Sequence, residues 1–312
     1  VTTTGTREPR PEPGPPTRTV TATTDTGQRL RTLGAITFTV LAWASAFLGI
    51  RYAGHTYTAG PLAFGRLTVG TLALGAALLA TRRWTPPTRR EWLLILLCGV
   101  AWFGIYNVAL NEAERRVDAG TAAMLVNLGP ILIALFAGIL LREGFPRWLL
   151  VGAAVAFTGV ILIGVPSARA GHSDGVGVLL LLVAAVTYAI GVLAQKPTLR
   201  RLPGLQVTWL ACTIGTLCSA PFAPAFARQL ADAPAGATAA LVYLGLVPTA
   251  AAFGTWAYAL ARTDAGRLGI TTYAVPPLAV LGGWALLGET PAALALIGGA
   301  VCLAGVALSR RR

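Results

Sequence analysis

Residues 118–162 recur, without a gap, at residues 264–308. Asp118-Ala119-Gly120 returns as Asp264-Ala265-Gly266. The same step of 146 positions carries Pro130 to Pro276, Glu143 to Glu289, Gly152 to Gly298 and Gly159 to Gly305. Both copies lie in strongly apolar sequence. A duplicated apolar unit is a plan known from helical membrane proteins. It constrains the fold more than any other feature, because whatever the first copy builds the second must build again.

The apolar residues come in blocks rather than in alternation. Ten blocks can be read: 33–50, 61–80, 92–110, 119–141, 148–165, 176–193, 205–222, 236–261, 268–287 and 292–308. Each is close to the roughly 20 residues a helix needs to cross about 30 Å of hydrocarbon. Only 12% of the residues are charged, about half the usual share of a soluble domain. The blocks are rich in Gly and Ala, which suits close helix packing in lipid. The short alternating segments of a β-barrel are missing from the sequence. The expected fold is an all-α integral membrane protein with ten transmembrane helices in two five-helix repeats. Five is odd, so the second repeat enters the membrane from the opposite side, and the repeat is inverted.

A net charge of +13 invites a nucleic-acid reading, but the distribution of the cations argues against it. The basic residues sit in the links between blocks. Nineteen of the 25 fall in the two tails and the links on their side, five on the opposite side, and Arg66 lies within a span. The positive-inside rule then places both termini in the cytoplasm of a cell with this protein in its inner (plasma) membrane. Lys196 is the single lysine. The four cysteines all lie in apolar blocks and read as small core residues. Residues 1–31 carry no apolar signal-peptide core and are expected to form a disordered cytoplasmic tail. The repeats are then bounded at 32–165 and 174–309.

Proline marks irregular places inside the blocks. Pro130 and the Pro276-Pro277 pair fall at matching points of the fourth span of each half. A helical proline removes a backbone bond and frees a carbonyl. In lipid that is tolerated only where protein or a wet cavity satisfies the group. Matched interruptions in two halves point to a central site, with Asn127 and Tyr273, one turn earlier, expected to face it. A packing kink is the alternative.

The chain resembles the EamA-like members of the drug/metabolite transporter superfamily from about Leu33 to Leu308. The resemblance is carried by Leu41-Ala-Trp-Ala-Ser-Ala-Phe47, by Gly60-Pro-Leu-Ala-Phe-Gly-Arg66, and by the run from Asp118 through Gly159 with its copy. That run has Ala-Gly early, a mid-helix proline, a terminal Leu-Leu-x-Glu, and a glycine late in the next span. The resemblance implies ten helices in two inverted halves, a central cavity, and movement of small metabolites, often as export.

No enzyme constellation is present: HExxH, DDxxD, Walker A and GxSxG are all missing from the sequence. No cofactor or metal is expected. Arg66 is the one charge well inside a span, which points either to a substrate carboxylate or to snorkelling. Glu143 and Glu289 end the fourth span of each half. They are expected to pair with a backbone end or an arginine, with gating as the second role. Polar and aromatic residues within spans are the remaining binding candidates, among them Trp43, Ser45, Trp102, Tyr106, Asn107, Asn127, Tyr188, Trp256, Tyr258 and Tyr273. An Asn in hydrocarbon needs a partner or water, so the two asparagines rank above the aromatics. The expected function is secondary transport, as an exporter of a small metabolite or drug-like molecule by alternating access. A non-transporting scaffold or sensor is the alternative. The expected partners are a small-molecule substrate and the lipid bilayer, not nucleic acid, and a homodimer is left open.

Overall fold

With no water to bond their amides, the apolar blocks can only close their backbone bonds internally, as helices. The computed structural model describes residues 1–2, 22–113, 115–116, 125–168, 175–287, 293–309 and 311, and no strand occurs among them. The first half contains α1 (Ala22–Gly54), α2 (Ala59–Thr81), α3 (Arg89–Cys98), a π-helical segment π1 (Gly99–Ile105), α4 (Tyr106–Ala113), α5 (Leu128–Leu140) and α6 (Arg147–Ala168). The second half contains α7 (Gly175–Thr198), α8 (Gly204–Cys218), α9 (Ala223–Ala231), α10 (Ala235–Leu244), π2 (Gly245–Ala251), α11 (Ala252–Leu260), α12 (Ala265–Thr271), α13 (Val275–Leu287) and α14 (Ala293–Ser309).

Two expectations are corrected. Residues 22–31, expected in a disordered tail, are helical and belong to α1. The prolines do not free a mid-helix carbonyl either. Each sits in the first turn of a fresh helix, Pro130 in α5 and Pro276-Pro277 in α13, where the missing N–H would have had no intrahelical partner anyway. The interruption lies one turn earlier, at Asn127 and in the tight 3₁₀ turn Thr272–Ala274.

By length and composition, six helices among the described residues can cross a membrane. They become seven when α8 and α9, bent by 50° at their junction, count as one span. Leu128–Leu140, Arg147–Ile163 and Ala293–Ser309 are shorter apolar helices. Leu72, Leu79, Leu93, Leu217 and Leu286 are each at least 67% exposed. An apolar surface of that kind needs a lipid or protein cover.

The duplication reaches further than the sequence match. α3, π1 and α4 recur as α10, π2 and α11 at the same step, with Gly99 answering to Gly245. A Cβ on Gly99 would meet the Ala211 carbonyl of α8, and one on Gly245 would meet the Arg66 carbonyl of α2. Likewise Gly70 faces Thr249 while Gly215 faces Phe103. The second and third spans therefore pack across the halves in two equivalent ways. Each π segment has a local cause. Pro248 would clash with the Leu244 carbonyl in a regular α-helix, and in the wider π2 that carbonyl accepts from the Thr249 hydroxyl at 2.8 Å. In π1 the loosened carbonyls of Trp102 and Phe103 accept from the Asn107 amide at 3.2 and 3.0 Å.

α6 and α14 cross with backbone against backbone. Gly152 lies against Gly305 and Gly159 against Gly298, so residue numbers rise along one helix as they fall along the other. The crossing is antiparallel, and equivalent helices of the two halves form it.

Candidate functional site

The two helix breaks meet. The Tyr273 hydroxyl, in the second-half break, donates to the Asn127 backbone carbonyl, in the first-half break, at 2.9 Å. Both residues are buried. Tyr273 belongs to the core where α5, α6, α12 and α14 come together, with Ala134, Ala156 and Cys302. The first turn of α5 also touches α7, because a Cβ on Gly129 would lie 2.5 Å from the Tyr188 ring.

Tyr188 leads into a cluster of aromatic rings at the centre of the main core. Trp102 of π1 lies 5.2 Å from Tyr188, 4.9 Å from Phe253 and 5.8 Å from Trp256, centroid to centroid. Trp43 of α1 lies 5.0 Å from Trp256 and 5.4 Å from Phe253. Tyr106 sits at the edge, 5.9 Å from Tyr188. Both halves contribute. The Trp43 indole donates to the Pro248 carbonyl of π2 at 3.2 Å, which binds α1 to the bulged span. Two buried polar atoms of the cluster, the Tyr188 hydroxyl and the Trp256 indole nitrogen, have no hydrogen-bond partner among the described residues. Such atoms are costly to bury unsatisfied, by about 1–3 kcal/mol each.

Arg66 approaches π2 from α2. Its Nε and one terminal nitrogen both donate to the Thr249 hydroxyl at 3.2 Å, and only 6% of the residue is exposed. It is not snorkelled to a surface. At the structurally equivalent point of the other half stands Ala211, so the charge is an asymmetric addition to a symmetric frame.

Near the turn between α11 and α12 the halves are tied a second time. The Glu143 carboxylate accepts from the backbone amides of Ala265 and Gly266 at 2.8 and 3.1 Å. This covers the otherwise open N-terminus of α12 with a negative charge, the favourable sign there. The Lys196 ammonium donates to the Leu260 and Thr263 carbonyls at 2.7 and 2.6 Å and so closes the C-terminus of α11. Glu143 therefore pairs with a backbone end.

Of the residues singled out by sequence, Trp43, Tyr106 and Tyr188 come together, Asn127 meets Tyr273, and Arg66 is held against π2 by Thr249. Asn107 is spent on the carbonyls of π1. Glu289 and Asp118–Gly120 lie outside the described residues. Sequence reasoning passed over Lys196 and Thr249. Their signals were the single lysine of the chain and a hydroxyl directly after a proline inside an apolar span.

A helical chain with an exposed apolar surface, whose two halves meet at equivalent breaks and equivalent π segments, is an internally duplicated membrane transporter in architecture. The model of the EamA-like transporter family matches it twice, at residues 31–165 and 175–311, and the chain belongs to that family. It is 40% identical over 280 residues to a probable terminal-alkyne amino-acid exporter of Streptantibioticus cattleyicolor, covering 89% of this chain and 93% of that one. It is 32% identical over 266 residues to an uncharacterized transporter of Bacillus subtilis, covering 85% and 86% of the two chains. A probable amino-acid metabolite efflux pump of Salmonella typhimurium is 24% identical over 277 residues, covering 86% and 90%. A solved crystal structure shares the fold at a TM-score of 0.73 and 22% identity, covering 90% of this chain and 96% of that one. The family and these relatives are transporters, not enzymes.

Proposed function

We propose that this protein exports a small amino-acid-like metabolite across the inner membrane, by alternating access between two inverted five-helix halves with both termini in the cytoplasm. The observation that carries this reading is the hydrogen bond from Tyr273 to the Asn127 carbonyl. It joins the two helix breaks at equivalent positions, where a duplicated transporter needs contacts that can be exchanged as the halves move. The antiparallel crossing of α6 and α14 fits an inverted arrangement. The arginine asymmetry fits ten spans with cytoplasmic ends.

The substrate site in this reading is the aromatic cluster. Its rings offer apolar walls to a side chain, and the Tyr188 hydroxyl and Trp256 N–H offer polar anchors without a present partner. Arg66, held against π2 by Thr249, supplies a positive charge for a carboxylate. The amino-acid class is suggested by the names of the relatives.

The test is counterflow of labelled amino acids in vesicles of purified protein. Trp256→Phe keeps a ring but removes the N–H, and should lower apparent affinity about tenfold with the protein still folded. Wild-type vesicles without flux for any amino acid would leave the scaffold or sensor reading standing. Sidedness is tested by single cysteines at 56 and 86 in a cysteine-free background. An impermeant reagent applied to intact cells should label only position 56.

A further inference from the structure

The link between α2 and α3 carries an unusual excess of unpaired cations. Arg82, Arg83, Arg89 and Arg90 are all exposed, within nine residues. The 199–203 turn of the second half is drawn against this link. Thr85 and Gln206 exchange backbone-to-amide bonds at 3.0 and 2.7 Å. Arg201 donates to the Pro86 carbonyl at 2.7 Å and grips both oxygens of Glu91. Among the described residues, the side chains of Arg82, Arg83, Arg89 and Arg90 have no hydrogen-bond or ion-pair partner.

Glu91 is the only carboxylate within this stretch, and it is taken. Arg201 and the Thr88 cap both bind it, and the pairing lifts the Arg201 guanidinium further above its usual value. Four arginines are thus left uncompensated. Arg89 and Arg90 also stand in the first turn of α3, where a cation opposes the helix dipole. Evenly spread arginines would serve topology alone. Crowding them at one spot repels them from one another unless an anion is shared.

Two tryptophans show what the patch adjoins. Trp84 and Trp92 are 51% and 43% exposed, flanking the arginines. Exposed indoles at the ends of apolar helices sit at the level of lipid headgroups. Just beyond Trp92, Leu93, Leu96 and Leu97 are exposed as well. The surface therefore runs from cations through indoles to bare hydrocarbon, in the order in which a phospholipid runs from phosphate through glycerol to acyl chains.

We propose that this face binds the headgroup of an anionic phospholipid, with Arg82, Arg83, Arg89 and Arg90 at the phosphate level and Trp84 and Trp92 at the glycerol level. The proposal rests on α2 and α3 crossing the membrane, but not on which molecule is transported.

The experiment uses the full-length protein in phosphatidylcholine nanodiscs doped with spin-labelled phosphatidylglycerol or spin-labelled phosphatidylcholine. The wild type should prefer phosphatidylglycerol. Each arginine near a membrane surface contributes about a fivefold preference, so Arg89→Gln with Arg90→Gln should lower the preference at least tenfold. Arg89→Lys with Arg90→Lys should retain most of it, and Arg228→Gln, at a distant link, should leave it unchanged. The Lys pair also guards against misfolding of the Gln pair. No preference in the wild type, or an equal preference in the Gln pair, overturns the proposal. So does protection of the site by inorganic phosphate or glycerol phosphate at millimolar concentration, because the ligand would then be a soluble phosphate. Loss of amino-acid flux with the lipid preference intact would strike the transport reading alone.

Discussion

Gly159→Ala is the sharpest test of how the halves are joined. A Cβ built on Gly159 falls 2.5 Å from the Gly298 carbonyl oxygen and 2.5 Å from the Cys302 amide nitrogen. Both are backbone atoms, so no side chain can rotate away. Restoring ordinary contact at roughly 3.5 Å needs α6 and α14 to part by about 1 Å. That separation loosens the whole crossing and stretches the Cys302 thiol bond to the Ala156 carbonyl, now 3.2 Å. Overpacking of this kind costs about 1–3 kcal/mol. Gly254, in α11, supplies the contrast, because a Cβ there meets nothing within 4 Å. Gly254→Ala should stabilise by about 0.4–1 kcal/mol through the unfolded chain. At about 2 °C per kcal/mol for a chain of this size, the two variants should differ by roughly 3–8 °C. Loss of the monodisperse peak after timed heating in one detergent measures the difference. If Gly159→Ala proves as stable as the wild type, the backbone contact of α6 and α14 is not what joins the halves.

Other outcomes follow from single bonds. Tyr273→Phe removes the donor to the Asn127 carbonyl and should lower the melting temperature by about 2–6 °C, at about 1–3 kcal/mol for a buried group left unpaired; an unchanged melting curve would show that the breaks are held by something else. Lys196→Met strands the Leu260 and Thr263 carbonyls and should destabilise by a similar amount, with partial recovery in Lys196→Arg, as read by the same heating assay. Thr249→Val keeps the shape but leaves Arg66 one acceptor short, and should slow flux in vesicles several-fold, whereas Thr249→Ser should retain it. Equal flux in the two Thr249 variants would remove Arg66's anchor on π2 from the transport mechanism.

The duplicated run 118–162 and its copy were legible because backbone geometry fixed their residues. A helix start needs a proline-tolerant first turn, and a close crossing needs glycine, so Pro130, Pro276, Gly152, Gly159, Gly298 and Gly305 kept their register in both copies. The second and third spans were not legible. A π segment has no residue signature of its own: π1 is supported by Asn107 and π2 by Pro248 with Thr249, different means to one geometry. Only the glycines at 70, 99, 215 and 245 hint at the equivalence. Arg66 against Ala211 conceals it further, since equivalent places carry unlike chemistry. The aromatic residues were legible as candidates but not as a cluster, because Trp43, Trp102, Tyr188 and Trp256 are joined by packing across the halves. The prolines marked the helix breaks, but periodicity alone cannot tell a kinked helix from the start of a new one.

The crossing of α6 and α14 has the form of an isologous dimer interface written into one chain. Gly152 meets Gly305 while Gly159 meets Gly298, so each half offers the other the same patch. A self-complementary surface of this kind needs no covalent link to form. A single half bearing it can pair with an antiparallel copy of itself, and fusion of the two genes would preserve the contact unchanged. Once fused, the halves are free to diverge, and Arg66 standing where the other half carries Ala211 records one such change.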